Sequence, residues 1–445
     1  MSTNPDDLLN NFQDQFEYLD LLLPDCNGVI RGKRVPSNTA EKIFSEGAMF
    51  PASLFASDIS GEPCEETGLG FDMGDADYIC PAIQASLTPV PWAPGRAQVL
   101  LNMQNPDGSP FLANPREVLR NIIHRIQADG YHPCIAVELE FYLLHQEFEG
   151  KPKPPINPFT QQPEQSSQVY YMDDLDAYGE FIEAIQNTCD IQNIRADAAV
   201  SECAPGQFEI NLLHTHDIIK ACDDALLLKR AVKHVARQMG YQATFMAKPY
   251  FDQSGCGSHV HVSCYDEQGE NIFAADEANL HHAIGGMQQT LAQAMLLYAP
   301  HANSYRRFRP DSYVALNNSW GYNNRTVALR IPLSKPDSLR IEHRLAGADT
   351  NPYLVVAAVL AGMHWGLQQK CNCDEAISGN AYAKSKPSNP YHWQQSINLF
   401  SNSSWIKNYF GSEFQKVFSH LKQAEINHFN QTITPLEYDW YLQTI

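Results

Sequence analysis

The order of apolar and polar residues predicts a β-rich region followed by a longer one in which strands and helices alternate. Residues 1–110 are rich in turn formers and contain short apolar runs such as RAQVLLNM at 96–103. The turn sequence NPDGSPF, residues 105–111, marks a boundary. The pattern predicts a small N-terminal domain over residues 1–113 and a larger domain over residues 114–445.

The clearest helix follows this boundary. Asn114 suits the N-cap, Pro115 suits the first helical position and Gly130 ends the helix. Its predicted apolar face consists of Val118, Leu119, Ile122, Ile123 and Ile126. Further helices are predicted over residues 175–189, 217–239 and 279–298. The most apolar run, residues 353–367, falls short of the roughly 20 residues that span a membrane, which predicts a buried helix.

The predicted strands indicate an α+β fold. Residues 134–144, CIAVELEFYLL, alternate strictly, so Glu138 and Glu140 share one face and the apolar residues take the other. Further strands are predicted over residues 194–203, 207–213, 242–250 and 258–265, and a surface loop over residues 151–168. The last two strands flank a turn that contains glycines. This order favours an antiparallel sheet with packed helices over a doubly wound sheet.

Composition narrows the class of protein. The 445 residues include 31 Lys+Arg and 51 Asp+Glu, a formal net charge of −20, which disfavours binding to nucleic acid or to anionic membranes. The polar, acidic N-terminus lacks the pattern of a signal peptide. Eleven cysteines without a CxxC pair predict reduced thiols. We expect a cytoplasmic globular protein.

Three groups of residues are candidates for metal binding. Glu138 and Glu140 repel one another unless a cation or hydrogen-bond donors compensate, although a lone ExE is also typical of a solvated strand. Glu202 and Glu209 flank a Pro-Gly turn that could bring both carboxylates to one site. The sequence GCGSHVHVS places His259, His261 and Ser263 on one strand face, in a spacing typical of metal ligands and equally of buried core histidines.

Arginines are concentrated in one segment of this acidic chain. Residues 306–344 contain Arg306, Arg307, Arg309, Arg325, Arg330, Arg340 and Arg344. Guanidinium groups match phosphate and carboxylate oxygens, so the segment indicates a small anionic ligand. Together with the carboxylates, it predicts metal-dependent phosphoryl transfer from a nucleotide, without a Walker or protein-kinase motif.

The chain resembles the glutamine synthetase superfamily, type I branch. The resemblance covers about residues 50 to 365 and rests on six segments that occur in the order of the family. These segments are VELEF, ECAPGQFEI, KPYFDQSGCGSHVHVS, NSYRRFRP, NNRTVALRIP and RIEHRLAGADTNPYL. It implies a small N-terminal β-grasp domain, a larger α+β catalytic domain and a homo-oligomer, typically a double-ring dodecamer. It also implies ATP and two or three Mg²⁺ or Mn²⁺ ions as cofactors.

The resemblance assigns roles by position. The first metal site would comprise Glu140, Glu202 and Glu209, and the second would comprise Glu138, His259 and Glu342. Arg307 would bind the α-carboxylate of glutamate, with Gly255 and Ser254 beside it. Arg307, Arg325 and Arg344 would be the catalytic residues, with Arg325 near the phosphates and Arg344 steadying the transferring phosphoryl group. The expected nucleotide contacts are His261, Ser263, Arg330 and Arg340. ATP would phosphorylate the γ-carboxylate of glutamate, and an amine would then displace phosphate.

Departures from the family pattern concern the amine. Tyr313 stands where glutamine synthetases carry a glutamate of the ammonium site, Ser254 replaces an asparagine, and Phe55 aligns with an aspartate unless Asp58 is its shifted equivalent. The segments SWGYNNRTVALRIP and FASDISG resemble those of γ-glutamylpolyamine synthetases. Aromatic residues such as Trp320 and Tyr322 could receive an alkylammonium group or simply pack.

The sequence therefore predicts a glutamate–polyamine ligase, with putrescine as the first candidate acceptor. Two enzyme alternatives are a glutamine synthetase that uses ammonium and a ligase for another amine such as ethanolamine. A third alternative, a catalytically silent structural protein of this fold, should have lost metal ligands, and none is lost here.

Overall fold

The computed structural model describes residues 5–10, 12–147 and 150–445. The first four residues of the polar N-terminus lie outside these ranges. Six strands precede residue 113 in the described part: β1 Tyr18–Pro24, β2 Ile30–Pro36, β3 Ala48–Pro51, β4 Asp77–Cys80, β5 Thr88–Pro89 and β6 Arg96–Leu100. Four of them form a sheet in the order β2-β1-β6-β5, in which β1 and β6 are parallel, and β3 pairs with β4.

The second sheet contains eight strands. They are β7 His132–His145, β8 Ala196–Ser201, β9 Gln207–Leu212, β10 Tyr241–Thr244, β11 Ser258–Tyr265, β12 Trp320–Tyr322, β13 Leu329–Ile331 and β14 Ile341–His343. Their order is β12-β13-β14-β11-β7-β9-β8, and β10 also pairs with β7. All pairs are antiparallel except β12 with β13. A domain division at residue 113 remains a prediction.

Helices surround both sheets. In the described residues they are α1 Pro5–Asn10, α2 Phe12–Gln15, α3 Ala40–Glu46, α4 Pro115–Ala128, α5 Met172–Ala177, α6 Gly179–Ile191, α7 Ile218–Gln238, α8 Ile272–Ala275, α9 Glu277–Tyr298, α10 Pro352–Gln369, α11 Ala381–Lys384, α12 Trp393–Ser401, α13 Ser404–Phe410, α14 Ser412–Gln431 and α15 Pro435–Tyr441. The apolar face of β7 packs into this layer, where Phe141 contacts Phe181 of α6 with ring centroids 6.3 Å apart.

Most predicted elements are confirmed. The Asn114 side chain caps α4 by accepting a hydrogen bond from the Arg116 amide, and the predicted apolar face of this helix is buried. The apolar run 353–367 lies in α10, which is buried along nearly its whole length. Within the described residues, no helix is long and apolar enough to cross a membrane. All eleven cysteines are free thiols.

Two predicted elements differ from the structure. The helix predicted at 175–189 is split at Tyr178 between α5 and α6. The strand predicted at 242–250 ends at Thr244, because the chain there leaves β7 and returns to its edge only at Ser258. Strands β10 and β11 thus lie end to end along β7, and the loop between them carries Ser254 and Gly255.

Candidate active site

The strand register gathers polar side chains on one face of the large sheet. Directly opposed residues of neighbouring strands have side chains on the same face. The register opposes the pairs Glu138 and His259, Glu140 and Glu209, His261 and Glu342, and Arg330 and Glu342. The two-residue alternation that was read from the sequence thus places carboxylates, histidines and an arginine side by side.

The first group of possible metal ligands is Glu140, Glu202 and Glu209. One carboxylate oxygen from each lies within 4.8 Å of those of the others. Burial and the neighbouring glutamates raise the pKa of Glu209 to about 10, and burial and Glu140 raise that of Glu202 to about 7. Among the described residues, no Lys or Arg nitrogen lies within 4 Å of either carboxylate. Arg325 and Arg344 act on Glu202 only from a distance, so three clustered oxygen donors remain that fit a hard divalent ion.

The turn before β9 brings Glu202 and Glu209 together. Gly206 has a φ of 71°, and a Cβ there would lie 2.7 Å from the Leu143 carbonyl oxygen, so only glycine fits without displacement. The Glu202 amide donates to the Gln207 carbonyl across this turn. The Pro-Gly turn seen in the sequence therefore has the predicted effect on the two carboxylates.

The second group surrounds Glu138. Its carboxylate lies 3.1 Å from His259 Nδ1 and 2.8 Å from His261 Nε2. Burial raises the pKa of Glu138, but the hydrogen bonds and electrostatic effects of the two histidines together hold that pKa below its usual value. Possible ligand sets are Glu138 with His261 and Glu342, and Glu138 with Glu209 and His259. His259 Nδ1 also lies 3.8 Å from Glu342, so the predicted trio of Glu138, His259 and Glu342 is in one place.

Three arginines adjoin this second group. Glu342 accepts hydrogen bonds from Arg330 Nη1, at 2.7 Å, and from Arg344 Nη1. Burial disfavours the charged carboxylate, yet Arg344 and the two histidines lower the pKa of Glu342 to about 2. Arg340 Nε donates to His261 Nδ1 at 3.2 Å. Arg340 and Arg344, at the two ends of β14, and Arg330 on β13 therefore surround the buried Glu342 with basic groups.

Arg307 and Gly255 lie beside the first group. Arg307 is 2% exposed, and its Nη1 donates to the Leu345 carbonyl at 3.0 Å. The Gly257 amide donates to Glu140 Oε2 at 2.8 Å, and a Cβ at Gly257 would lie 3.3 Å from Arg307 Nη2. The Nε atoms of Arg307, Arg330 and Arg344 are buried and lack an acceptor among the described residues. Buried donors of this kind match the oxygens of phosphate or carboxylate groups.

Gly255→Ala should weaken glutamate binding. A Cβ at this position would lie 2.8 Å from Arg307 Cγ and 2.9 Å from the Ala247 carbonyl oxygen, so the guanidinium would be displaced. We expect the KM for glutamate to rise by roughly tenfold, because a charged hydrogen bond contributes about 1.5–3 kcal/mol. The control is Gly179→Ala, where the added Cβ meets nothing within 4 Å and φ is ordinary. Equal KM values for the two variants would contradict the assignment.

Three further predicted residues have hydrogen-bond partners outside the two groups of possible metal ligands. Arg325 Nη2 donates to the Tyr170 hydroxyl at 3.1 Å, and Ser263 Oγ donates to the Tyr265 hydroxyl at 3.4 Å. The Ser254 carbonyl accepts from the Tyr142 hydroxyl at 2.7 Å. Tyr313 is 62% exposed and has a φ of 57°. Its ring is thus available to a ligand.

The alternative candidates for the amine side are engaged elsewhere. Trp320 is buried and donates from Nε1 to the Asp374 carbonyl, and the Tyr322 hydroxyl donates to Glu277, so both have packing or bonding roles. Asp58 Oδ1 accepts from the Ser60 amide and hydroxyl and from the Glu62 amide. Asp58 therefore stabilises the turn formed by residues 58–62 through these hydrogen bonds.

Sequence reasoning missed two residues that contact the site. Gln207 Nε2 donates to the Gly255 carbonyl at 3.0 Å and to Glu140 Oε2 at 3.4 Å, which joins β9 to the loop before β11. Its position on the face of Glu209 was the available signal. Tyr170, with a φ of 63°, reaches Arg325 from the segment after the surface loop, and no local pattern reveals a contact over that sequence distance.

Comparison with known proteins identifies the family. Residues 112–441 match the glutamine synthetase catalytic domain, so the chain belongs to the glutamine synthetase family, as predicted. It is 42% identical to γ-glutamylputrescine synthetase PuuA of Escherichia coli K12, with 96% of this chain and 92% of that protein covered. It is 32% identical to glutamate–isopropylamine ligase of a Pseudomonas species, with 95% and 94% covered. A solved complex of GmaS with ADP has a TM-score of 0.84 at 25% identity, with 98% and 99% covered.

Proposed function

We propose that this protein is an ATP-dependent ligase that joins the γ-carboxylate of L-glutamate to a primary amine of a polyamine, with putrescine as the first candidate, through γ-glutamyl phosphate. The proposal rests on carboxylates clustered beside arginines whose buried Nε donors have no acceptor within the described part of the chain. It rests also on the 42% identity of the chain to a γ-glutamylputrescine synthetase. The second relative also joins glutamate to an alkylamine, by its name. Both similarities favour an organic amine over ammonium as acceptor.

The donor chemistry of the two groups supports two divalent cations, Mg²⁺ or Mn²⁺. Glu140, Glu202 and Glu209 would hold the first with oxygen donors only. Glu138 and Glu342 would hold the second with His259, although His261, at 2.8 Å, lies closer to Glu138 than His259 does, at 3.1 Å. When bound, the cations neutralise charge on the phosphates and the reacting carboxylate. A double-ring dodecamer is proposed from the family alone.

The chain's own residues would position two anionic reactants. Arg307, buried behind Gly255 and Gly257, would hold the α-carboxylate of glutamate at the first group. Arg330, Arg340, His261 and Ser263 would bind the nucleotide at the second group, while Arg325 and Arg344 would approach the transferring phosphoryl group. Fixing both reactants in one geometry removes the entropy cost of their encounter. The fixed positive charges of the arginines stabilise the negative charge on the phosphate and carboxylate groups of the reactants.

Phosphate release from MgATP, measured with glutamate and four acceptors side by side, tests the proposal. The acceptors are putrescine, spermidine, ethanolamine and ammonium at equal concentration. We expect turnover with putrescine or spermidine to exceed that with ammonium by more than about tenfold, because a tailored acceptor pocket discriminates by about 1.4 kcal/mol or more. Faster turnover with ammonium would establish a glutamine synthetase, and faster turnover with ethanolamine a ligase for that amine. No glutamate-dependent release with any acceptor would overturn the ligase assignment.

Tyr313→Glu should shift the acceptor preference toward ammonium. The exposed ring would give way to a carboxylate that can hold a small cation, and both residues bear the same backbone constraint at a φ of 57°. We expect the ratio of kcat/KM for ammonium to that for putrescine to rise by about tenfold, which corresponds to about 1.4 kcal/mol. Tyr313→Phe keeps the ring and should leave the ratio near its original value. An unchanged ratio in Tyr313→Glu would exclude Tyr313 as the selectivity position.

A further inference from the structure

A cavity of about 380 Å³ lies away from the predicted metal ligands, none of which lines it. Its walls are the turn after β1 (residues 27–30), one side of α7, the end of β10 with the two residues after it, and residues 348–350. The volume is within the usual range for small-molecule sites. Segments from both sheets therefore enclose a space that the proposed ligase reaction does not use.

One side of α7 presents a row of cations to this cavity. Lys229, Lys233 and Arg237 follow one another at four-residue intervals, so they lie on the same helix face, where like charges repel. Lys229 Nζ donates to the Thr350 carbonyl at 2.7 Å. In the described ranges, no carboxylate oxygen lies within 4 Å of the charged nitrogens of these three residues. The row thus lacks the counter-charge that a chain of net charge −20 could easily supply.

Lys229 is half-buried and Lys233 and Arg237 are exposed, and the repulsion between neighbouring charges on one helix face is unfavourable without a ligand. Burial and the nearby Lys233 together lower the pKa of Lys229 to about 7, and Asp349 opposes part of this shift. Burial also lowers the pKa of Lys233, with Arg237 adding to the effect. Both ammonium groups lie near the ring of Phe245, 5.8 and 5.7 Å from its centroid, rather than near an acid. An anion in the cavity would relieve this repulsion.

A second and independent feature points to the same chemistry. Asn27, which is 7% exposed, lines the cavity, and its Oδ1 accepts a hydrogen bond from the buried Lys422 ammonium. Because an ammonium only donates, this bond fixes the amide orientation. Asn27 Nδ2 is then a buried donor without an acceptor among the described residues. Buried donors normally have a hydrogen-bond acceptor, so we expect a ligand to supply an acceptor atom to this amide.

The other charged groups around the cavity do not neutralise the row. Asp349 is the one carboxylate among the lining residues, and its Oδ2 accepts from the Ser304 hydroxyl. Arg230 also lines the cavity, but it forms an ion pair at 3.5 Å with Asp20, which does not line the cavity. His301 lies 3.6 Å from Glu425. Three cations therefore face one carboxylate, and positive charge is in excess.

We propose that this cavity is a binding site for a small anion with two or more negative charges on phosphate or carboxylate groups. Lys229, Lys233 and Asn27 Nδ2 donate to the anion, and Arg237 attracts it from the far end of the row. The site is separate from the predicted metal ligands and does not depend on the proposed ligase activity, so the two can fail separately.

Thermal unfolding of the full chain at constant ionic strength, without substrates, tests the site. The probes are inorganic phosphate and citrate, which distinguish phosphate from carboxylate ligands, and sodium chloride is the reference. We expect the Tm to rise with the concentration of at least one probe beyond the effect of chloride. The double variant Lys229→Gln/Lys233→Gln should raise the concentration for half-maximal shift by about tenfold or more. Lys42→Gln, whose side chain is exposed on α3, should respond like the unmodified protein.

The stability of the double variant without probe and the response of Arg237→Gln are measured as well. Without probe, the double variant should be at least as stable as the unmodified protein, because the repulsion is gone. Arg237→Gln leaves both lysines in place and should raise the half-maximal concentration by about threefold, as expected for a charge at the rim of a site. The proposal is overturned if neither probe exceeds chloride, or if the double variant keeps the full response. It is also overturned if the double variant changes oligomeric state in size-exclusion chromatography, since the lysines would then serve a neighbouring subunit.

Discussion

Glu342→Gln is expected to lower kcat for glutamate- and amine-dependent ATP turnover by about a thousand-fold, the scale on which a lost electrostatic contact in the transition state acts. Glu342 is 1% exposed and lies opposite His261 on one strand and Arg330 on the other. Its two oxygens already accept from Arg330 and Arg344. Removing its charge would take one anionic ligand from the second metal group and leave two guanidinium groups without their counter-ion.

Replacing Glu342 by glutamine, rather than removing its side chain, allows a loss of activity to be distinguished from a loss of stability. Complete removal of the carboxylate side chain would leave buried arginines unpaired, which costs about 3–5 kcal/mol. Glutamine keeps one oxygen acceptor in the same place, so a smaller change in Tm is expected. The measurement is kcat across a Mg²⁺ titration, with Glu41→Gln on the surface of α3 as control. A near-normal kcat at saturating Mg²⁺ would remove Glu342 from the proposed metal ligands.

Strand alternation made much of this site predictable. The period of two in residues 134–144 and 258–265 assigns Glu138, Glu140, His259 and His261 to polar faces before any fold is known. Alternation cannot say which residues oppose one another across strands. The opposition of Glu342 to His261 depends on β14, a strand of three residues, and on its pairing with a strand about eighty positions earlier. Such pairing is set by the packing of the whole sheet.

The loop between β10 and β11 shows why local pattern fails near the site. Residues 242–250 look like one strand, yet pairing with β7 stops after Thr244 opposite Tyr142 and resumes at Ser258 opposite Leu139. In the gap the Glu140 amide donates to the Gly257 carbonyl at 3.0 Å. The loop is held by tertiary contacts, such as the Lys248 amide donating to Asn303 Oδ1 at 2.8 Å. These contacts leave no trace in local periodicity.

Arg307→Lys is the second prediction with a large expected effect, and it concerns the glutamate side of the site. We expect the KM for glutamate to rise by about 10- to 100-fold, because a guanidinium can bind a carboxylate through two parallel hydrogen bonds and an ammonium cannot. Burial lowers the pKa of Arg307, and a lysine in the same buried position would lose its charge far more readily. The KM for MgATP should remain within about twofold, since the nucleotide is proposed to bind at the second metal group.

A matched control lies two residues away. Arg307 is the last residue of the short helical turn Ser304–Arg307, and Arg309 lies just after it. Arg309 Nη1 donates to the Phe251 carbonyl, and its guanidinium lies 4.2 Å from the centroid of the Phe251 ring. Arg309→Lys should therefore leave the KM for glutamate near its original value. If Arg307 binds the substrate equally in the ground state and the transition state, its replacement raises KM with little change in kcat. A fall in kcat with an unchanged KM for glutamate would instead assign Arg307 to the reacting groups, because only an interaction formed in the transition state has that effect.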